Sequence, residues 1–560
     1  MGRREMLRAG LLGAAVGGAG LMTLSGRAAA THVANHDYVS CVNVKDPQYG
    51  AFGNGTVDDT AAIQNALNAA SVAAKSTYLP AGIYLVGPLT VPLASRVFGE
   101  NPGGEIATFF KAKAGAFVPD VDALCKVDAG GVTPNAGIDA VFENLGFWSP
   151  AGATDTNFGI KLTGGVNAIV RNCDFTGWKG TLSQRGRGLT VTQNPSTGPP
   201  FGHVVVDSCR FEDNQIGVVP HRTNMVVEAS LFNDNLWDGI YGDGGDGELA
   251  AFGNTFRGNG RTGILLFASK GARMRDNYLW KNWRSIDLTG DNVNPGASRC
   301  VVSGNYSENP TSTETNAGHH INLEKMSRQN LIAYNSIEGG GPNVSIEETG
   351  IRTGTVSDMN ELVGNVINGC RKDGIFLGSG KCVVEGNVCF DNNTQTPPGT
   401  NASGIRIQSS DNLVQGNRCF DTRAVGSKTQ SYGINEDQTG SGENAMLGNW
   451  VKDNKTAGLR LQQTGAWAKD NPGYNPRGLL TNDLKTGTNP IVTGVWWTNL
   501  FFVPIDVSVV AGTLSDARKR QKDGTNEQTL STSTRMYHLE PVEQLYLVFN
   551  ANSSVRAWGY

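Results

Sequence analysis

One recurring phrase, Gly-Asn-x-apolar, constrains this chain more than any other feature. It stands at Gly253-Asn254, Gly304-Asn305, Gly364-Asn365, Gly386-Asn387, Gly416-Asn417 and Gly448-Asn449, and without the glycine at Asp276-Asn277 and Tyr334-Asn335. The asparagines step by 23, 28, 30, 30, 22, 30 and 32 residues. A period of roughly 20–50 residues marks a stacked-repeat architecture, and the uneven steps imply loops of different length on a constant coil. Two residues after each asparagine comes Phe256, Leu279, Ser307, Ile337, Ile367, Cys389, Cys419 or Val451. Period-2 alternation puts this small-to-medium column on the same side of a strand as the asparagine. It extends upstream through Phe147, Phe175, Phe211 and Phe232, with Leu145, Cys173, Cys209 and Ser230 in the asparagine's place. Each coil then opens another strand, often on a Gly-Ile-like pair: Gly239-Ile240, Gly263-Ile264, Gly374-Ile375, Gly404-Ile405, Gly433-Ile434 and Gly458-Leu459.

Strands that pair only with their equivalents one repeat away make a parallel β-solenoid with coils ~4.8 Å apart. A stacked asparagine then bonds the turn backbone and the next asparagine, so each buried amide is satisfied. The repeat has neither the blade length of a β-propeller nor the helical half-repeat of a leucine-rich protein. Glycine, 73 of 560 residues, is roughly twice as frequent as usual, which suits several tight turns per coil. The net charge of −4 argues against a nucleic-acid partner and against capture by anionic membranes. Nine cysteines without a C-x-x-C are neither a disulfide framework nor a zinc site; Cys389 and Cys419, like Cys173 and Cys209, are expected as buried fillers.

Residues 1–30 carry Arg3-Arg4, an apolar Gly/Ala-rich run from Ala9 to Leu24, and Ala28-Ala29-Ala30. This pattern predicts a twin-arginine signal peptide, so the mature chain is expected to be secreted, with no membrane association after cleavage. The β-helix domain is expected over 31–485 and a small C-terminal β domain over 486–560. In the latter, the asparagine repeat gives way to alternating runs such as Ile505–Val510 and Leu545–Phe549, which read as a small β-sandwich. Of Trp496 and Trp497, one is expected in its core and the other is a candidate sugar contact.

An open solenoid end exposes strand edges and core, and so needs a cap. Asp58 and Asp59 suit a helix N-terminus, and Ile63, Ala66, Leu67 and Ala70 form one apolar helix face. Thr77–Val86 then reads as strand, turn, strand. The stretch Asn43-Val44-Lys45-Asp46 through Tyr49-Gly50-Ala51-Phe52-Gly53-Asn54-Gly55-Thr56-Val57-Asp58-Asp59, followed by Tyr78-Leu79-Pro80-Ala81-Gly82-Ile83-Tyr84, strongly resembles the N-terminal module of the pectate-lyase-like superfamily. The resemblance is specific over 43–86 and implies an all-β, right-handed parallel β-helix with an N-terminal capping helix. It also implies a glycan substrate, because that superfamily holds polysaccharide lyases, polygalacturonase-like hydrolases, alginate epimerases and phage tailspike depolymerases. It names no reaction, since the matched residues form the cap. The Asn-Thr-Asp, Gly-His-Gly and Arg-Ile-Lys set of the polygalacturonases is absent, as are the Asp-Pro-His of the epimerases and the Trp-Ile-Asp-His of the first pectate lyase family.

Long glycans lie along the flat outward column of a solenoid strand. Taking the strand that opens on Gly-Ile, the outward residues are Tyr241 and Asp243, Leu265 and Phe267, Asp287 and Thr289, Asn322 and Glu324, Phe376 and Gly378, Arg406 and Gln408. Between Glu324 and Phe376 two registers compete. With Val344 inward, Ser345 and Glu347 face out; with Ile351 inward, Arg352 faces out and Glu347 and Glu348 fall in the preceding loop. Acids therefore gather in the middle coils, flanked by Tyr241, Phe267, Phe376, Arg352 and Arg406. The candidate catalytic residues are Asp287, Glu324, Glu347 and Arg406, and the candidate substrate-binding residues are Tyr241, Asp243, Phe267, Asn322, Arg352 and Phe376.

Glycoside hydrolysis needs one protonated acid and one base or nucleophile. Coil and strand spacing put Asp287 and Glu324 ~8 Å apart on the diagonal, in the inverting range; direct stacking of Glu324 on Glu347 at ~5 Å would suit retention. The expectation is a polysaccharide-cleaving hydrolase. A Ca2+-dependent polyuronide lyase or epimerase would use Asp287, Glu324 and Glu347 as hard ligands and Arg352 or Arg406 as base, and a non-catalytic glycan-binding protein would use the same face. His319 and His320 precede Ile321, which makes His320 a candidate for the groove edge. Oligomeric state is open between monomer and homotrimer.

Overall fold

The computed structural model describes residues 41–559 apart from 102–103, 119–120, 131–137, 151–157, 181–185, 193–201, 246–247, 292–293, 311–317, 341–347, 396–397, 439–441, 464–465, 475–477, 482–490, 500–504, 512, 534–535, 541–542 and 550–553. The twin-arginine segment and Glu347 lie outside the described residues. Three long parallel sheets of 16, 14 and 14 strands wind through the chain, each strand pairing with its equivalent one coil before and one coil after. The chain is all-β in this region and forms a right-handed parallel β-helix.

The register follows the asparagine column. In the second sheet Phe147, Phe175, Phe211, Phe232, Phe256, Leu279, Ser307, Ile337, Ile367, Cys389 and Cys419 align in turn, all of them buried. The five phenylalanines stack with centroids 4.7–4.9 Å apart and planes within 9°, the coil spacing itself. Room for those rings comes from the third sheet, where Gly159, Gly188, Gly217 and Gly239 face Phe175, Phe211, Phe232 and Phe256. A Cβ on Gly239 would lie 2.7 Å from both the Gly263 carbonyl and a Phe256 ring carbon, so this column admits no side chain without displacement.

The asparagines form a continuous hydrogen-bonded ladder. Each Nδ2 donates to a strand carbonyl of the preceding coil and to the next asparagine's Oδ1, which also takes the backbone N–H of the asparagine before it; Asn277, Asn305, Asn335, Asn365 and Asn387 repeat this at 2.8–3.0 Å. Two further ladders run beside it, and of the asparagines named in them only Asn259 follows a glycine. Asn235, Asn259 and Asn282 run along the other end of the second sheet, and Asn330 with Asn360 along the turn before the first.

The cap is built as the sequence implies. The helix Thr60–Val72 buries Ile63, Ala66, Leu67 and Ala70. Asp58 accepts the Thr60 N–H at 3.0 Å, and the bonds from Lys113 and Thr60 lower its carboxyl to about 2. Asp59 instead ties the incoming loop, accepting the Phe52 and Gly53 N–H groups at 2.7 and 3.0 Å. At the C-terminal end, two four-stranded antiparallel sheets form a small β domain whose first strand is Gly478–Thr481. Trp497 is in its core, whereas Trp496 is half-exposed beneath the Arg520 guanidinium, 4.0 Å from the ring centre. All nine cysteines are free thiols, eight of them buried.

Candidate active site

The third sheet carries the outward face. Its pairing sets Tyr241, Leu265, Asp287, Asn322, Arg352, Phe376, Arg406, Asn435 and Arg460 in one column along the helix axis. The competing registers are thereby resolved: Ile351 pairs with Ile321 and Ile375, so Arg352 faces out beside Asn322. The residue two beyond Arg352 is Gly354, and it lies against the Glu324 side chain.

A depression of about 380 Å3 opens over four successive coils, lined by His319, Glu324, Thr349, Arg352, Lys372, Asp373, Phe376, Arg406 and Gln408. Phe376 forms the centre of its floor. The guanidinium groups of Arg352 and Arg406, one coil before and one after, sit 5.9 and 5.8 Å from its ring centre. Packing both cations against one aromatic ring offers them no hydrogen-bond acceptor, so their N–H groups point to neighbours and to the open side. Arg406 is bonded to Asp437 at 3.0 Å and lies 3.8 Å from Asp373. Arg352 bonds Asn322 Oδ1 at 3.2 Å and the Glu324 carboxylate.

His319 is the site's least expected member. It is 5 % exposed and its Nδ1 has no hydrogen-bond partner, while it lines the depression. Burial, followed by the nearby charges of Arg352, Arg284 and Lys372, pushes its pKa well below the ordinary imidazole value. The ring is therefore neutral at pH 7 and holds an unused lone pair or N–H at the wall of a cationic depression.

His320 corrects the sequence expectation. It is not at the groove edge but wholly buried, because strand alternation begins only at Ile321 and the turn before it reverses the two faces. Its Nδ1 meets Ser307 Oγ at 2.7 Å, its Nε2 meets Glu348 Oε1 at 3.1 Å, and Ser307 Oγ lies 2.6 Å from Ser285 Oγ. Glu348 also accepts the N–H groups of Gly340 and Arg371 at 3.2 and 3.1 Å. This chain explains the one hydroxyl among the apolar residues of the second-sheet column. It also ties together the turns from which His319, Thr349 and Lys372 project.

The paired-acid arrangement expected from the sequence takes a different form. Asp287 is 3 % exposed, ion-paired with Arg284 at 2.6 Å and bonded by Asn322 Nδ2 at 2.9 Å; it supports Asn322 and does not line the depression. Tyr241 and Phe267 lie on the same face, with Asp243 in register with Phe267, but these positions fall two to three coils before Asn322 and outside the depression. Tyr241 packs against Arg261, 5.6 Å from its ring centre. The expected site residues that line the depression are thus Glu324, Arg352, Phe376 and Arg406. The residues the sequence left unassigned are His319, Thr349, Lys372 and Asp373, all from turns, where period-2 reasoning has no purchase. Of the suggested Ca2+ ligands, Glu347 lies outside the described residues. Asp287 and Glu324 each face arginine donors, and among the described residues no group of three or more His, Cys, Asp or Glu converges.

The architecture and its outward cationic depression define a right-handed parallel β-helix protein with a site on the third sheet. Residues 140–295, 200–349 and 238–405 match the family described as right handed beta helix region, and residues 41–97 match the family described as rhamnogalacturonase A/epimerase, pectate lyase-like. These two matches and the fold support a pectate-lyase-like protein of the right-handed parallel β-helix type. No curated protein matches it in sequence. Among solved structures it is similar to the A-module of mannuronan C-5 epimerase AlgE6 of Azotobacter vinelandii, at 17 % identity over 77 % of this chain and 98 % of that chain, with a TM-score of 0.43. It is also similar to a mutant tailspike protein of E. coli bacteriophage HK620 in complex with a pentasaccharide, at 14 % identity over 93 % and 92 % of the two chains, with a TM-score of 0.49.

Proposed function

We propose that this chain is a secreted enzyme acting on an acidic polysaccharide laid on the third sheet, and that it abstracts the proton α to a uronate carboxylate. The product is an unsaturated uronate if the glycosidic bond then breaks, or an inverted sugar if the proton returns from the other side. One observation carries this reading: three cations, Arg352, Lys372 and Arg406, line one depression together with a neutral, buried His319 whose Nδ1 is unpartnered. Removing a proton α to a carboxylate places a second negative charge on the carboxyl oxygens, and a preorganised cationic wall stabilises it most where water is excluded. A neutral imidazole at that wall accepts the proton, which a protonated one cannot do. Phe376 offers the apolar floor that a sugar ring packs against.

Inverting hydrolysis by Asp287 and Glu324 is the second reading, supported by their ~8 Å diagonal. It stands second because Asp287 is buried and held by Arg284 and Asn322. Incubation with a panel of uronate and neutral glycans separates the outcomes. Ultraviolet absorbance of an unsaturated uronate together with new reducing ends supports elimination. Reducing ends alone overturn it in favour of hydrolysis, and exchange of the α-hydrogen with solvent deuterium without cleavage supports epimerisation. No product on any uronate leaves a binding protein and overturns the enzyme reading.

A further inference from the structure

The Arg352–Glu324 pair stands between two depressions. Both residues line the one described above and also a second of about 520 Å3, whose other walls include Lys325, Arg328 and Val356. The pair therefore blocks the passage by which one ligand would occupy both. The two arginines of the site are neutralised in different ways. The Asp437 carboxylate that holds Arg406 is also bonded by Gln408 Nε2 at 3.2 Å and Asn401 Nδ2 at 3.4 Å, and is 14 % exposed. Glu324 takes Arg352 as its one side-chain partner among the described residues, and is 27 % exposed. Its main chain is anchored, the N–H donating to the Leu288 carbonyl at 2.9 Å. Its side chain runs over Gly354, where an added Cβ would lie 3.4 Å from Glu324 Cγ. The glycine thus leaves the space through which Glu324 reaches Arg352.

We infer that Glu324 is an internal stand-in for the carboxylate of the substrate, so that an incoming uronate displaces it from Arg352. This rests on the acidic-glycan reading above. A carboxylate on a flexible three-bond stem, held by one partly exposed partner at the edge of an open depression, exchanges readily because a pair reached by water is weak. A uronate carboxylate carries the same charge and the same two-oxygen geometry, so it replaces the lost bonds and swings Glu324 away, joining the two depressions. A neutral sugar cannot replace them and leaves the guanidinium with its internal partner. Glu324 therefore determines specificity, by setting a threshold that only an anionic ligand crosses.

Calorimetric titration of the full chain with a hexauronate and with its carboxyl-reduced, neutral counterpart tests this. With the internal competitor removed, Glu324→Gln and Glu324→Ala each bind the hexauronate about two- to fivefold more tightly than wild type, while the neutral hexamer gains less. Arg352→Gln binds the hexauronate at least about tenfold more weakly. Thermal unfolding confirms that all three variants are folded. If both Glu324 variants bind the hexauronate no more tightly than wild type while Arg352→Gln weakens it, the stand-in inference is overturned and the acidic-glycan site stands. If wild type and Arg352→Gln fail alike to prefer the charged hexamer, the acidic-glycan reading fails and the inference falls with it.

Discussion

Replacing Asn335 by alanine tests what the asparagine ladder contributes. Asn335 is 1 % exposed. Its Oδ1 accepts the Asn305 backbone N–H at 3.0 Å and Asn305 Nδ2 at 2.9 Å, and its Nδ2 donates to the Val302 carbonyl at 3.0 Å and Asn365 Oδ1 at 2.9 Å. Alanine removes all four bonds. Asn365 Oδ1 keeps the Asn335 backbone N–H, but the Asn305 N–H and the Val302 carbonyl lose these partners inside the core. An unsatisfied buried polar group costs about 1–3 kcal/mol, so the pair predicts a loss of about 2–6 kcal/mol. The outward neighbour Ser336→Ala should change stability by no more than ~0.5 kcal/mol. Stability in a solenoid is local as well as global, so denaturant unfolding followed by circular dichroism is paired with amide exchange at Asn305. Asn335→Asp should be at least as damaging at neutral pH, because a carboxylate still accepts from Asn305 but cannot donate to Val302. The reasoning is refuted if Asn335→Ala lies within 1 kcal/mol of Ser336→Ala and the Asn305 amide keeps its protection, about 1 kcal/mol being what one ordinary hydrogen bond contributes.

Two further predictions concern the site and the packing beneath it. Because the folded-state pKa of His319 lies below its unfolded value, the unfolded chain binds the extra proton, and stability falls as pH drops below about 6.5; His319→Gln should flatten that part of the stability–pH curve, and an equal slope in both proteins would contradict the assignment. Gly239→Ala places a Cβ 2.7 Å from the Gly263 carbonyl, so it should destabilise by about 1–3 kcal/mol, measured by urea unfolding, whereas Gly253→Ala meets no atom within 4 Å and tests only the left-handed backbone angle.

Much of the frame was legible because its signals are periodic. An inward residue recurs every coil, so the asparagine column and the residue two beyond it announced both the strand and its facing, and the outward column of the third sheet followed by alternation. Arg352, Phe376, Arg406 and Glu324 could be named in that way. Asp287 is legible as a residue of that face, but its ion pair is not. Its partner Arg284 sits three residues earlier on the same strand, and nothing in spacing says that the two charges satisfy each other. The Asn259 and Asn330 ladders are harder to read because no glycine precedes Asn235, Asn282, Asn330 or Asn360 and their steps vary with the loops.

The sequence alone determined the repeat, the direction of each strand's side chains, and the cap, since each depends on residues close in the chain or on a constant period. Only the tertiary structure decided the register at Ile351 and the inward turn of His320. It also decided the convergence of His319, Lys372, Phe376 and Arg406 around one depression. His319 and Lys372 come from turns, and Phe376 and Arg406 from strands of the third sheet. Which of them meet is set by how the coils stack, and that is a property of the wound chain rather than of any one segment.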